Sequence, residues 1–233
     1  MVNVYIASLW RGGHVVKTIQ SLLKCPELTS ITVVCNNYTQ EQIDYVHKAI
    51  DYNLRVLLIK GNNEKGCSEK VRYLHQGNSK YIALCDDDLI YPPDYLTKLI
   101  SAAEKYNCIV SAHGRILADG KATNYYRHKK KVYHCLHNVD DDYEVDIIGS
   151  GACLFPRHLL DVAKLYDMIK FPNMTDIYLS WLFWSNGIKR MVVAHERGWI
   201  KLKNPEKGDN YIYDNHANNC KPQTQFINLT WRV

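Results

Sequence analysis

Hydrophobic and polar positions along the first 105 residues form short blocks with two different periods. Apolar runs of strand length alternate with segments whose apolar residues recur at helical spacing. The predicted strands are 2–8, 31–35, 55–59 and 81–85, and the predicted helices are 15–23, 40–50, 68–75 and 95–105. Short buried strands that alternate with helices indicate βαβ units and a mostly parallel sheet covered on both faces.

The second half of the chain has a less regular pattern. A strand is predicted at 108–113, followed by a polar and charged stretch at 119–146 and an apolar stretch at 145–155. Helices at 159–165 and 176–184 and a last strand at 191–194 follow, and the tail at 198–220 is predicted to be a mobile loop. A length of 233 residues suits one large domain.

Polar and glycine-rich residues follow each of the first four predicted strands. They are Ser8 to Arg11, Asn36-Asn37, Gly61 to Gly66 and Asp86 to Asp88. In open parallel sheets, ligands bind outside the carboxyl ends of the strands. The sequence therefore predicts one ligand site at this edge of the sheet.

The aspartate run Asp86-Asp87-Asp88 directly follows the strand 81–85. Neighbouring carboxylates raise each other's pKa, and a divalent cation would relieve that cost. Mg²⁺ and Mn²⁺ take one or two carboxylates and complete their shell with water and substrate phosphates. An acidic turn that caps the following helix explains the run equally well in isolation. The position at a strand end favours the metal site.

Composition and charge narrow the class of protein. The chain is 46% hydrophobic and 23% charged, and its net charge of +5 suits an anionic small substrate rather than nucleic acid. It has no apolar run of membrane-spanning length and no signal-peptide pattern, and its eight scattered cysteines indicate free thiols. We expect a cytoplasmic protein. The basic run Arg127 to Lys131 leaves peripheral contact with an acidic membrane open, although a solvated loop is commoner.

Three segments carry a resemblance to a known family. Tyr81 to Asp88, followed by Tyr91 to Leu96, resembles the metal-binding Asp-x-Asp segment of GT-A-fold glycosyltransferases, most closely the inverting family 2 enzymes. Gly66 to Lys70 resembles their glycine loop, with a lysine where an arginine is usual. Gly149 to Arg157 resembles their small-residue strand that faces donor and acceptor.

Two later segments extend the resemblance in the expected order. Thr175-Asp176 resembles the segment that carries the catalytic base, with threonine in place of the usual glutamate. Val192 to His195 resembles the segment whose histidine joins the metal site. Asn36-Asn37 departs from the family, which usually offers an aspartate to the nucleotide base, but an asparagine side chain can bond a uracil edge as donor and acceptor. The resemblance runs from Val4 to about Glu196.

The resemblance implies a single-domain α/β protein of the GT-A, Rossmann-like fold. Residues 1–113 would form the nucleotide-sugar-binding half and residues 114–233 the acceptor-binding half. The implied activity is metal-dependent, inverting transfer of a sugar from a nucleoside-diphosphate sugar, UDP favoured, to a hydroxyl of a glycan or glycoconjugate. Mn²⁺ or Mg²⁺ would be the cofactor.

The same resemblance assigns roles to individual residues. Asp88, Asp86 and His195 would hold the metal, and Asp176 would act as the base. Residues expected at the nucleotide-sugar are Ala7, Ser8, Arg11, Asn36, Asn37, Gly66, Lys70, Asp86 and Asp87. Those expected at the donor and acceptor sugars are Gly149, Ser150, Gly151 and Trp199.

Structural roles compete with several of these assignments. Asp176 could be a helix N-cap, His195 a structural histidine at a strand end, and Lys70, like Arg72, a solvated helix charge. Two other functions also remain open. A sugar-phosphate nucleotidyltransferase would need a glycine-rich basic loop after the first strand, of which residues 7–13 are a faint version. A non-catalytic nucleotide-sugar-binding module would make Asp176 dispensable.

Overall fold

The structure, a computed structural model, describes residues 1–11, 13–203 and 220–231. Strands β1 to β7 are Val2–Leu9, Leu28–Asn36, Val56–Gly61, Tyr81–Cys85, Leu89–Ile90, Ile109–Ser111 and Gly114–Ile116. Strands β8 to β13 are Lys131–Tyr133, Tyr143–Glu144, Ile147–Ile148, Ala152–Pro156, Arg190–Val192 and Lys201–Leu202. Helices α1 to α6 are His14–Leu22, Gln40–Ala49, Tyr95–Tyr106, Leu165–Met168, Thr175–Ser185 and Lys221–Thr230.

Eight strands form the central sheet in the order β3-β2-β1-β4-β11-β6-β12-β9. The strands β1 to β4 are mutually parallel, and β12 is parallel to β6. Strand β11 runs antiparallel to both of its neighbours, β4 and β6. The carboxyl ends of β1, β2, β4, β6 and β12 therefore lie at one edge, where β11 begins.

The central strands β1 and β4 are buried on both faces and carry nearly continuous apolar runs. On one face, α1 packs through Val15, Ile19 and Leu22. On the other face, Phe155 of β11 packs against Phe183 of α5 with ring centroids 5.1 Å apart. The predicted mixed α/β architecture is confirmed.

Short antiparallel ribbons flank the main sheet. Strands β10, β7 and β8 form a three-stranded sheet, and β13 pairs with β5. The strands β8 and β9 lie within the stretch 119–146, which the sequence pattern predicted to be merely polar and charged. The helix α6 follows the predicted mobile tail, and residues 204–219 of that tail lie outside the described part of the chain.

The predicted helix at 68–75 is wrong. Two short 3₁₀ turns, Gly66–Val71 and Leu74–Gln76, take its place. Gly66 has a φ of +60°, and a Cβ there would lie 2.1 Å from Oδ1 of Asn173. The buried Glu69 accepts a hydrogen bond from Tyr166 Oη at 2.9 Å. Contacts with distant segments thus determine the conformation of this backbone, and local helix propensity does not.

The predicted helix at 159–165 is also wrong. Only a 3₁₀ turn at Arg157–Leu159 and the short α4 are present. The carboxylate of Asp161 accepts a hydrogen bond from Ala163 N at 3.0 Å, which gives this backbone a local alternative to the helix. Among the described residues, no helix is both long enough and apolar enough to cross a membrane.

Candidate active site

Asp86 begins the acidic cluster immediately after β4. Its N–H donates to Gly151 O at 3.0 Å and to Tyr91 Oη at 2.9 Å, and the Tyr91 hydroxyl donates to Gly151 O. A Cβ at position 151 would lie 2.0 Å from Asp86 Oδ2. The absence of a side chain at position 151 therefore lets the backbone just before β11 lie close to this carboxylate.

We expect Tyr91→Phe to lower the free energy of unfolding by about 1 kcal/mol, because the hydroxyl bridges two backbone groups at the cluster. Urea unfolding of the purified protein measures this change. Tyr52→Phe is the matched control, since Tyr52 is exposed. Equal losses in both variants would contradict the prediction.

Lys70 lies beneath the cluster and is only 1% exposed. Its Nζ donates to Asp86 Oδ1 at 2.7 Å and to Ser150 O at 3.0 Å. Burial opposes its charge, but Asp86, Cys67 and Asp176 together outweigh burial, so the pKa of Lys70 is raised overall. The solvated-charge alternative is therefore wrong for Lys70. Arg72, in contrast, is partly exposed and pairs with Glu69 at 3.5 Å.

Asp87 is buried and held by groups from β1, α1 and the loop between them. Ser8 Oγ donates to Asp87 Oδ2 at 2.6 Å, Arg11 forms an ion pair with Oδ1, and Thr18 Oγ1 donates to the Asp87 carbonyl at 2.9 Å. Burial raises the pKa of Asp87, although Arg11 and Ser8 act in the opposite direction. Asp87 thus anchors the loop to the rest of the sheet edge.

Of the three aspartates, Asp88 has the least compensating positive charge near its carboxylate. Arg11 is 3.5 Å away, and burial together with the charges of Asp86 and Asp87 raises the pKa of Asp88 to about 7. A carboxylate with a pKa this high lacks sufficient positive charge around it. A divalent cation would supply that charge.

The raised pKa of Asp88 predicts a pH-dependent stability. Between pH 3.8 and about 7 the folded protein retains a proton that the unfolded chain has lost. Stability of the metal-free wild type should therefore fall relative to Asp88→Asn as pH rises through this window, by on the order of a few kcal/mol. Urea unfolding of both proteins at several pH values tests this. A difference that does not change with pH would contradict it.

His195 follows β12 and is buried. Its Nδ1 lies 2.8 Å from Val193 O, so Nδ1 carries the proton and Nε2 keeps its lone pair. Burial lowers the pKa of His195, while the backbone carbonyls of Val193 and His134 act in the opposite direction. By hydrogen-bond geometry, Nε2 is buried with no partner among the described residues. A fixed neutral imidazole with an unused nitrogen is the form that ligates metals. The chemistry of these donors suits a divalent cation, but among the described residues Asp86, Asp88 and His195 do not form a group whose ligand atoms all lie within 4.8 Å of one another.

Asp176 lies in the first turn of α5, where the helix dipole favours a carboxylate. Its Oδ1 accepts from Ser150 N at 2.9 Å and from Ser150 Oγ at 2.6 Å. The helix begins at Thr175 with Met174 as its N-cap, so the N-cap alternative for Asp176 is wrong. Thr175 itself is buried and donates to Ser68 Oγ at 2.9 Å.

The structure gives the two asparagines different positions. The side chain of Asn36 is buried, and its Nδ2 donates to Gly66 O at 3.2 Å, while a Cβ on Gly61 would lie 2.5 Å from its Oδ1. Asn37 is exposed and has a φ of +56°. Asn36 therefore supports the 61–66 segment, and Asn37 is the more accessible of the two. Ala7, which is partly exposed, lies beside Val34 of β2.

Two other residues with predicted roles at the sugars, Gly149 and Trp199, each lie beside a histidine. Gly149 packs under the ring of His113, where a Cβ would come within 2.9 Å. Trp199 donates from Nε1 to Asp94 Oδ1 at 3.1 Å, and its ring lies 5.7 Å from that of His195. Neither contact tests the predicted roles of Gly149 and Trp199 at the sugars, which remain predictions.

Sequence patterns missed three polar residues that shape the site. Thr18, Tyr38 and Tyr91 are buried, and Tyr38 Oη lies 2.7 Å from Ser8 Oγ. Tyr91 lies in the family-like segment that follows the aspartates. This position is the one sequence signal that could have identified any of the three residues. Thr18 and Tyr38 lie in segments that read as ordinary helix and loop.

A largely parallel sheet, an acidic cluster at its carboxyl edge and a carboxylate in a facing helical turn define the fold class of the GT-A glycosyltransferases. The sequence profile of Glycosyl transferase family 2 matches residues 6–163, and the chain belongs to this family. The predicted family and fold class are both confirmed. No curated protein is significantly similar in sequence.

Solved structures support the same fold. The mannosyltransferase PcManGT from Pyrobaculum calidifontis, in complex with GDP-Man and Mn²⁺, is 15% identical with a TM-score of 0.57, over 89% of this chain and 58% of that one. GalNAc-T7 with UDP, GalNAc and Mn²⁺ is 11% identical with a TM-score of 0.61, over 83% of this chain and 42% of that one. The chain thus spans little more than half of the first and less than half of the second.

Proposed function

We propose that the protein transfers a sugar from a nucleoside-diphosphate sugar to a hydroxyl group, with a divalent metal and with inversion at the anomeric carbon. One observation carries this proposal. Asp86 and Asp176 are joined through two residues, because Lys70 Nζ bonds both Asp86 and the Ser150 carbonyl, and Ser150 N and Oγ both bond Asp176. These hydrogen bonds would hold the proposed donor site and the proposed base in one rigid unit.

The residues that would hold the metal are Asp88, Asp86 and His195. The high pKa of Asp88 and the unused Nε2 of His195 support this set, and His113 interacts electrostatically with both Asp86 and His195. The two solved relatives contain Mn²⁺. When bound, such an ion neutralises the charge that develops on the departing nucleoside diphosphate.

Asp176 is proposed as the general base. Both of its hydrogen bonds with Ser150 fall on Oδ1, so Oδ2 is the oxygen that would take the proton from the acceptor hydroxyl. The two bonds also fix the plane of the carboxylate. Attack from the face opposite the leaving group would invert the anomeric centre in a single displacement.

The nucleotide would lie over the ends of β1 and β2. Arg11 and Ser8 hold Asp87 there. The exposed side chain of Asn37 would contact the base. We favour UDP as the nucleotide. The relatives, which contain GDP-Man in one case and UDP in the other, support nucleotide-sugar donors as a class.

The acceptor would enter from the second half of the chain. Tyr125 and Tyr126 lie in the loop 117–130 and interact electrostatically with Asp176, and the guanidinium of Arg115 lies 4.7 Å from the Tyr125 ring centre. Tyr125 is buried, but the partly exposed ring of Tyr126 near the proposed base suits stacking against a sugar ring. We therefore propose a glycan or glycoconjugate acceptor.

A panel of UDP-, GDP- and other nucleotide-sugars, each with and without Mn²⁺, tests the proposed function. We expect a UDP-sugar to raise the Tm only when Mn²⁺ is present and to be hydrolysed slowly without an acceptor. The absence of any response at millimolar donor would contradict the proposal.

A further inference from the structure

Three softer metal-binding side chains converge beside the acidic cluster. His113, His134 and Cys135 each offer one ligand atom, and these atoms lie within 4.8 Å of one another. The two histidine rings are 4.9 Å apart between centroids. None of the three belongs to the residues assigned above to the donor or the base.

The ladder between β7 and β8 explains why these side chains meet. Gly114 pairs with Tyr133 in this antiparallel ladder. The next positions along the two strands, His113 and His134, therefore face each other where the ribbon ends. Cys135 follows directly and is buried. Their proximity is thus a consequence of backbone register.

We propose that His113, His134 and Cys135 form a binding site for a borderline-soft divalent ion, Zn²⁺ or its analogue Co²⁺. Two imidazoles and one thiolate are typical ligands of such ions, whereas Mn²⁺ and Mg²⁺ prefer oxygen. With Zn–N near 2.0 Å and Zn–S near 2.3 Å, tetrahedral ligand atoms lie roughly 3.3–3.8 Å apart. Side-chain movements of about 1 Å would close the site, and water would take the fourth position.

The surroundings favour a cation at this position. Cys135 interacts electrostatically with Asp86 and Asp88, and His113 with Asp86. Burial and the neighbouring His134, Arg115 and His195 act against a positive charge on His113. Leu136 N donates to His134 Nδ1 at 3.2 Å, the long end of the normal range, so ligation through Nδ1 would replace only a weak bond.

The proton balance of binding is simple. Burial raises the pKa of Cys135 to about 12 and lowers that of His113 to about 3. At neutral pH the thiol therefore carries its proton and His113 is neutral. Binding forms a metal–sulfur bond, breaks the S–H bond and releases one proton to solvent.

The ion would fasten a segment that leads to His195. Val139, four residues after Cys135, forms a β-bridge with His195 through two backbone hydrogen bonds of 2.8 Å. A bound ion would tie the start of this segment to the β7–β8 ribbon. The site would thus stabilise the surroundings of the proposed metal ligand without touching the donor.

Co²⁺ titration of the metal-free full-length protein tests the site, because cobalt bound to a thiolate gives a charge-transfer absorption band. We expect the wild type to show this band at one equivalent and to lose it when Zn²⁺ is added. Cys135→Ser should abolish the band, whereas Cys35→Ala, at a buried thiol on β2, should retain it. The thiolate band should still appear in Asp88→Asn, which removes a nearby charge but no ligand of this site, and this separates the site from the proposed function.

His134→Gln provides a second variant that leaves the thiol in place, in case Cys135→Ser does not fold. We expect it to weaken Co²⁺ binding at least about 10-fold, since even residues behind a ligand contribute 10- to 100-fold. Circular dichroism verifies the fold of each variant. No thiolate band in the wild type, or a band of equal strength in folded Cys135→Ser, would overturn the proposal.

Discussion

Asp88→Asn is expected to eliminate Mn²⁺-dependent donor binding and to reduce transfer by at least about 100-fold. The side chain keeps its size and loses the charge that would bind the ion. Asp88 is also the member of the acidic cluster with the weakest cation contact, since Arg11 is 3.5 Å away while Asp87 and Asp86 have closer partners. Calorimetric titration of a UDP-sugar, with and without Mn²⁺, measures the loss.

The control for this substitution is Asp44→Asn, at an exposed position of α2. It should leave both the affinity and its dependence on Mn²⁺ unchanged. Asp88→Asn that still binds donor more tightly with Mn²⁺ than without it would remove Asp88 from the metal site. Asp86 and His195 would then be the remaining proposed metal ligands.

Asp176→Asn should separate chemistry from binding. The amide oxygen can still accept both hydrogen bonds from Ser150, so the backbone and the donor site should stay in place. The side chain can no longer take a proton, and we expect kcat to fall by about 10²- to 10⁴-fold. The Kd of the donor, measured by the same titration, should change by less than about two-fold.

Asp167→Asn, at an exposed position of α4, is the control and should transfer at the wild-type rate. A normal rate in Asp176→Asn would refute the base assignment and would favour a non-catalytic role for the residue. The anomeric configuration of the product, read by NMR, tests the single displacement independently. Retained configuration would exclude the inverting mechanism.

The elements that sequence predicted best are those whose burial pattern is local. The strand β4 matches its predicted bounds, because its apolar run ends abruptly at the aspartates. The helix α3 ends one residue beyond its predicted end, because its helical repeat of apolar residues ends abruptly as well. Asp86 to Asp88 were found for the same reason, since three carboxylates follow the run without a gap. The prediction of Asp176 depended on the family resemblance, and its hydrogen-bond partner Ser150 was predicted from a separate motif.

The parts that sequence did not predict depend on distant contacts. Nothing near Lys70 indicates that Asp86 and Ser150 will surround its ammonium group, and its neighbours resemble an ordinary amphipathic turn. The antiparallel direction of β11 is likewise absent from the local pattern, which is the same for a buried strand of either direction. Both features place residues of the second half against the acidic cluster.

The β7–β8 hairpin has a consequence for how this scaffold could change its acceptor. Its ladder pairs Gly114 with Tyr133 and Ile116 with Lys131, so both ends of the loop 117–130 are fixed. Tyr125 lies in that loop and donates its N–H to Thr224 of α6 at 3.0 Å, while Asp86 is held by β4 and β11. Loops of other lengths and sequences could therefore be grafted between the same two strands. Under the proposed acceptor role of this loop, such exchange would alter which hydroxyl is presented while leaving the proposed donor site undisturbed.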